Sequence, residues 1–134
     1  MIIQHVPTEF ISQTWPKVEE HLQAALEYQD DYSLEQVKLL LTNGSWVLIV
    51  AADENAFVHG AAAVNFLNRP NDRVAFIVAM GGKLITSQET FLQFKDLLRA
   101  FGATYIEGAS RESAARLWQR YGLQEKYRIV GAKL

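Results

Sequence analysis

Between residues 45 and 80 the sequence presents three strand-forming runs in succession, separated by turn chemistry alone. Residues 46–52 are apolar without interruption, as in a strand covered on both faces. Asp53-Glu54-Asn55 supplies the turn that follows. A second strand is predicted over 56–66, slimmed at its centre by Gly60 and three alanines. The loop 67–72, with Pro70, leads to a third strand over 73–80. Three strands on short connections form an antiparallel meander. A helix starting at Thr86 and stopping at Gly102, then a strand over 104–108, adds a strand–helix–strand unit and hence a parallel pair. The sheet is therefore mixed, mostly antiparallel, and needs helices to cover it.

The flanks supply those helices. Residues 2–6 read as a first strand ended by Pro7. Phe10, Trp15, Val18, Leu22, Ala25 and Leu26 recur at helical spacing, with Pro16 expected in the first turn. After Asp30-Asp31-Tyr32, Ser33 opens a second helix with Gln36 in capping-box position, and Asn43-Gly44 closes it. In the 86–101 helix, Thr86 and Glu89 read as a capping box, and Phe91, Phe94, Leu97, Leu98 and Phe101 share a face. A short helix with Ala114-Ala115-Arg116-Leu117-Trp118 at its centre stops at Gly122 and precedes a final strand. The fold class is α+β in the order β-α-α-β-β-β-α-β-α-β. At 134 residues the chain is one domain by size. No repeat or linker interrupts it.

The spacing of the last helix carries a resemblance. Ala114, Leu117 and Gly122 match the closing helix of the GNAT superfamily of N-acetyltransferases, which reads roughly N-x-x-A-x-x-L-Y-x-x-x-G-F. Arg111, Trp118 and Leu123 stand where that family usually has Asn, Tyr and Phe. The element order agrees over essentially the whole chain. The resemblance implies a GNAT-like fold and acetyl-CoA as the cofactor of any activity. In brevity and motif loss the chain is similar to divergent GNAT-like proteins of some bacteriophages.

The same resemblance puts acetyl-CoA where the fourth strand meets the next helix, on a loop reading roughly Arg/Gln-x-x-Gly-x-Gly/Ala. Such a loop works because free amides at a helix N-terminus face the pyrophosphate and glycines let the backbone approach. Here that stretch is Met80, Gly81, Gly82, Lys83, Leu84, Ile85, Thr86 and Ser87. The family's loop glycines fall near Ile85 and Ser87, and no shift of register restores them. Ile85 is β-branched, and Glu89 adds negative charge to the first helical turn. Two readings follow: a weakened anion site softened by Lys83, or Gly81-Gly82 as a plain chain reversal and Thr86 as a plain cap.

The family's general acid is the tyrosine that Trp118 replaces, and indole has no useful acidity near neutral pH. Tyr121 is the candidate substitute, against a packing role. Glu107 is the one carboxylate on the fifth strand and the candidate general base, against a solvated strand-end role. Asp30-Asp31-Tyr32 could draw a cationic acceptor or serve as a turn. His5, His21 and His59 lack metal-type spacing, so no metal site is expected. Ser110 and Ser113 have no triad partners near them in sequence.

Charge is uneven. Residues 1–60 hold nine acids and two bases (−7), residues 61–110 four and five (+1), and residues 111–134 two and six (+4), summing to −2. Opposed patches of this kind predict a protein partner or self-association, with Arg116 and Arg120 as contacts. The acidic balance argues against nucleic acid, and a longest apolar run of seven residues argues against a membrane span. With no cysteine and no secretory-type start, a cytoplasmic setting is expected. The leading expectation is a divergent GNAT-like protein with a degraded acetyl-CoA site, acting by binding or assembly. The alternative is an active N-acetyltransferase with an atypical cofactor loop. In that case Met80 and Gly82 backbone groups hold the pantetheine arm, Glu107 acts as base through water, and Tyr121 acts as acid.

Overall fold

The computed structural model describes residues 1–134. The elements are β1 (Ile2–Val6), α1 (Thr8–Leu26), α2 (Leu34–Thr42), β2 (Val47–Ala52), β3 (Val58–Asn68), β4 (Arg73–Gly82), α3 (Gln88–Ala100), β5 (Tyr105–Gly108) and α4 (Glu112–Gln119). One five-stranded sheet runs in the order β1-β2-β3-β4-β5. The first three pairings are antiparallel and β4–β5 is parallel. The expected order holds through α4. The expected final strand does not form: residues 123–134 are neither helix nor strand. Strand-forming side chains there have no partner strand hydrogen-bonded to them, and a lone extended segment is not a strand.

Side-chain alternation along β2 and β3 sorts the interior into two layers. Leu48, Val50, Ala61 and Ala63 face α1 and α2, where they meet Ile11, Trp15, Val18, Leu22, Val37 and Leu41. Ile49, Ala51, Ala62 and Val64 face α3, where they meet Phe94 and Leu98. Residues 48–52 are all buried, as a strand covered on both faces requires.

Several local expectations are corrected. Helix α1 starts at Thr8, directly after Pro7, so Pro16 lies in its interior rather than its first turn. Pro16 is on the exposed side, where the carbonyl it cannot serve meets water. Ile11 takes the buried position expected of Phe10, which is half-exposed. The Ser33–Gln36 capping box on α2 is present. On α3 the cap is Ser87 with Thr90, not Thr86 with Glu89. Gly81 and Gly82 do not follow β4 but end it, paired with Ala61 and Gly60. Gly81 is there because α1 crosses at contact: a Cβ on it would lie 1.8 Å from the His21 carbonyl oxygen.

Candidate functional site

The end of β4 organises the region. β3 and β4 pair as Ala63↔Ala79 and then Val64↔Ile77, leaving Val78 as the extra residue of a β-bulge. The parallel β4–β5 ladder runs from Val74↔Tyr105 to Ile77↔Gly108 and ends there. Residues 78–82 of β4 therefore have no β5 neighbour, and the two strands part at the bulge.

The parting is filled by aromatic rings. Trp118 on α4 sits on Gly108 so closely that a Cβ there would lie 2.4 Å from Trp118 Cζ3. Tyr121 packs against Phe91 of α3, with ring centroids 5.2 Å apart. Together with Met80, Ile85 and Leu123 these rings line an apolar crevice of about 10 Å³. That is room for about one water molecule. The Tyr121 hydroxyl has no hydrogen-bond partner within the chain. Trp118 and Tyr121, weighed as the altered and substitute acid positions, thus converge in one cluster.

The loop from Lys83 to Ser87 satisfies much of its own backbone. Lys83 N–H donates to the His59 carbonyl at 2.8 Å. Thr86 and Ser87 N–H both donate to Thr90 Oγ1, at 2.9 and 3.1 Å. Thr90 N–H donates in turn to Ser87 Oγ at 3.1 Å. Leu84 is buried under the sheet rather than presented to a ligand. The first-turn amides of Gln88 and Glu89 make no hydrogen bond within the chain.

Glu107 lies away from the crevice in its contacts. Arg69, from the β3–β4 loop, grips both carboxylate oxygens at 2.8 and 2.7 Å. Lys126 adds a third bond at 3.1 Å. Arg69 above all, with help from Lys126, holds the Glu107 pKa down to about 2. A carboxylate so stabilised is a weak base. The Arg69 partnership spans 38 residues, and no local signal reveals it.

Three further contacts escaped sequence reasoning. Arg111 stacks on the Tyr28 ring at 3.9 Å, linking the β5–α4 loop to the end of α1. His59 Nε2 meets Asp53 Oδ2 at 2.8 Å across the β2–β3 turn, and this bond, above the turn's own amides, lowers the Asp53 pKa. His5 packs edge-on against Phe101, and burial lowers its pKa against the opposing pull of Glu9. His21 Nε2 faces the Val58 carbonyl at 3.4 Å. The three histidines do not converge, and no group of three ligating side chains exists.

No family model and no curated protein matches this sequence. Solved structures do match in shape. An aminoglycoside acetyltransferase from an uncultured soil metagenomic sample superimposes with a TM-score of 0.69 at 11% identity, over 98% of this chain and 93% of that one. The chain has a GNAT fold. AAC(6')-Iy, in complex with the bisubstrate analog CoA-S-monomethyl-acetylneamine, aligns with a TM-score of 0.69 at 9% identity, over 98% and 96% of the two chains. A Trypanosoma brucei acetyltransferase aligns with a TM-score of 0.62 at 14% identity, over 98% of each. At such identities the likeness carries the fold and not the chemistry. No helix is long and apolar enough to cross a membrane.

Proposed function

We propose that this GNAT-fold protein works by associating with another protein surface and does not transfer acyl groups efficiently from acetyl-CoA. The observation that carries this reading is the closed parting between β4 and β5. Trp118 on Gly108 and Tyr121 on Phe91 leave about 10 Å³ there. An acyl-pantetheine arm needs far more, so these residues do not fit the cofactor. The loop supports the same conclusion. Its Thr86, Ser87 and Thr90 amides are already taken by hydroxyl oxygens, and Glu89 opposes a pyrophosphate. Neither Glu107, with a pKa near the bottom of the carboxylate range, nor Trp118 supplies acid–base chemistry near pH 7.

The association is assigned to opposed charge. Residues 111–134 carry +4 and residues 1–60 carry −7. Arg116, 67% exposed and tied only to Glu112 at 3.5 Å, and the exposed Arg120 are the proposed contacts. Acetyl-CoA titration by calorimetry tests the reading. Losing several charge-assisted amide bonds, each about 1.5–3 kcal/mol, leaves a dissociation constant on the order of a millimolar or no binding. Low-micromolar binding would overturn it in favour of the rival, an active N-acetyltransferase. The free Gln88 and Glu89 amides are the feature that favours that rival.

A further inference from the structure

The sheet has two edges, and they are treated differently. At β1, Gln93 of α3 reaches across: its Oε1 accepts from Ile3 N–H at 3.0 Å, and its Nε2 donates to the Met1 carbonyl at 3.3 Å. At β5 nothing comparable happens. No backbone hydrogen bond joins Tyr105–Gly108 to any residue on the side away from β4. An uncovered edge is a template for another strand.

The same chain holds a segment with strand character and no partner. Residues 125–131 read Glu-Lys-Tyr-Arg-Ile-Val-Gly, with Lys126 and Arg128 alternating against Tyr127 and Ile129. All of it is exposed, Ile129 at 81% and Val130 at 92%. The segment passes β5 at side-chain distance only. Lys126 Nζ binds Glu107 at 3.1 Å and lies 4.8 Å from the Tyr105 ring centre. The segment leaves α4 from a fixed point, since Leu123 N–H donates to the Trp118 carbonyl at 3.2 Å and Leu123 lines the apolar crevice. From there an open groove of about 1380 Å³ lies among β5, α4 and the segment.

We propose that two copies of this chain pair by exchanging residues 125–131, each laid as an added strand along the outer edge of the other's β5. Complementarity is inherited from the single chain. Tyr105 and Glu107 alternate to one face of β5, and Ile106 and Gly108 to the other, which packs on the α3 side. A strand that keeps Lys126 on Glu107 puts Tyr127 and Ile129 on the Ile106 face. There they meet Ala115 and Trp118, which the groove leaves half-exposed. Charge raises no barrier, because each Lys126–Glu107 pair within a chain becomes one between chains. This surface lies outside the closed parting and does not depend on whether acetyl-CoA binds.

Light scattering and amide hydrogen exchange on the full chain, the wild type beside an Ile129→Pro/Val130→Pro variant, test the exchange. Proline removes the N–H groups a strand needs, and both positions are exposed, so the fold itself is spared. The expected result is a wild-type mass of twice 15.2 kDa, held from about 0.01 to 1 M salt, with β5 and 126–130 amides protected. In the variant the mass halves and that protection is lost. A wild type that stays monomeric, including one whose own segment becomes protected, overturns the proposal. So does a dimer that survives the prolines. An assembly that dissolves with salt in both proteins assigns association to opposed charge and also overturns it.

Discussion

All 30 buried residues lie between Ile3 and Leu98, while residues 99–134 contain none. The two regions share one sheet, so the difference is not one of fold. In the first, α1 and α2 close one face of the sheet and α3 the other, and Phe94, Leu22 and Leu48 are wholly sealed. In the second, α4 presents Ala114, Ala115 and Trp118 to the protein but seals none of them. The first region is stabilised by its own interior. The second is held by ion pairs, by one indole on one glycine, and by whatever binds it.

The largest expected effect breaks or upholds that division directly. Phe94→Ala removes a fully buried ring and should cost about 3–5 kcal/mol in urea denaturation. Leu117→Ala, at a position 40% exposed, should stay within about 0.5 kcal/mol. Comparable losses would erase the contrast between the regions.

A smaller effect sharpens it. Trp118→Ala should cost about 2–3 kcal/mol, less than a fully buried tryptophan, because the indole is only half-covered. Gly108→Ala should cost about 1–3 kcal/mol by driving a methyl into that ring. In the Trp118→Ala background the Gly108→Ala cost should fall by more than half. Additive losses in this double-mutant cycle would mean that the indole does not rest on Gly108.

The smallest effect concerns acid. The folded pKa of Glu107, about 2, lies below its ordinary value, so its ion pairs stabilise fully above about pH 5 and fade as pH falls toward 2. The partners are partly exposed, and screening reduces the expected contribution to about 1 kcal/mol. Stability measured across that window should fall more in the wild type than in Glu107→Gln by this amount. Equal slopes would remove the Arg69 clamp as a stabilising contact.

The division also governs what could be read from residues alone. Where periodicity meets a deep interior, reading succeeds: residues 46–52 as a doubly covered strand, Ser33 with Gln36 as a cap, and Phe91, Phe94 and Leu98 as the inner face of α3. Boundaries set by geometry across the fold are harder. Gly81 and Gly82 resemble a turn until α1 is laid against them, and Ser87 competes with Thr86 for the cap one residue apart. The C-terminal region is least legible. A strand pattern at 125–131 is read correctly as a pattern, but a strand needs a neighbour. Glu107 reads as a free carboxylate because Arg69 lies 38 residues away. Trp118 and Tyr121 are found as altered positions from spacing, yet their convergence with Phe91 and Gly108 belongs to three dimensions.

The burial boundary at Leu98 also sets an order of events during synthesis. Every side chain that the interior requires has been made once residue 98 is joined, and the remaining 36 residues complete no core. At about 5–20 residues per second they follow over roughly 2–7 seconds. Throughout that interval β4 has its β3 partner but not β5, so Val74, Ala75 and Ile77 sit on a strand with a bare edge. The nascent chain thus spends seconds as a nearly finished body with one adhesive side, flanked by Arg69 and Arg73, until Tyr105–Gly108 arrives to cover it.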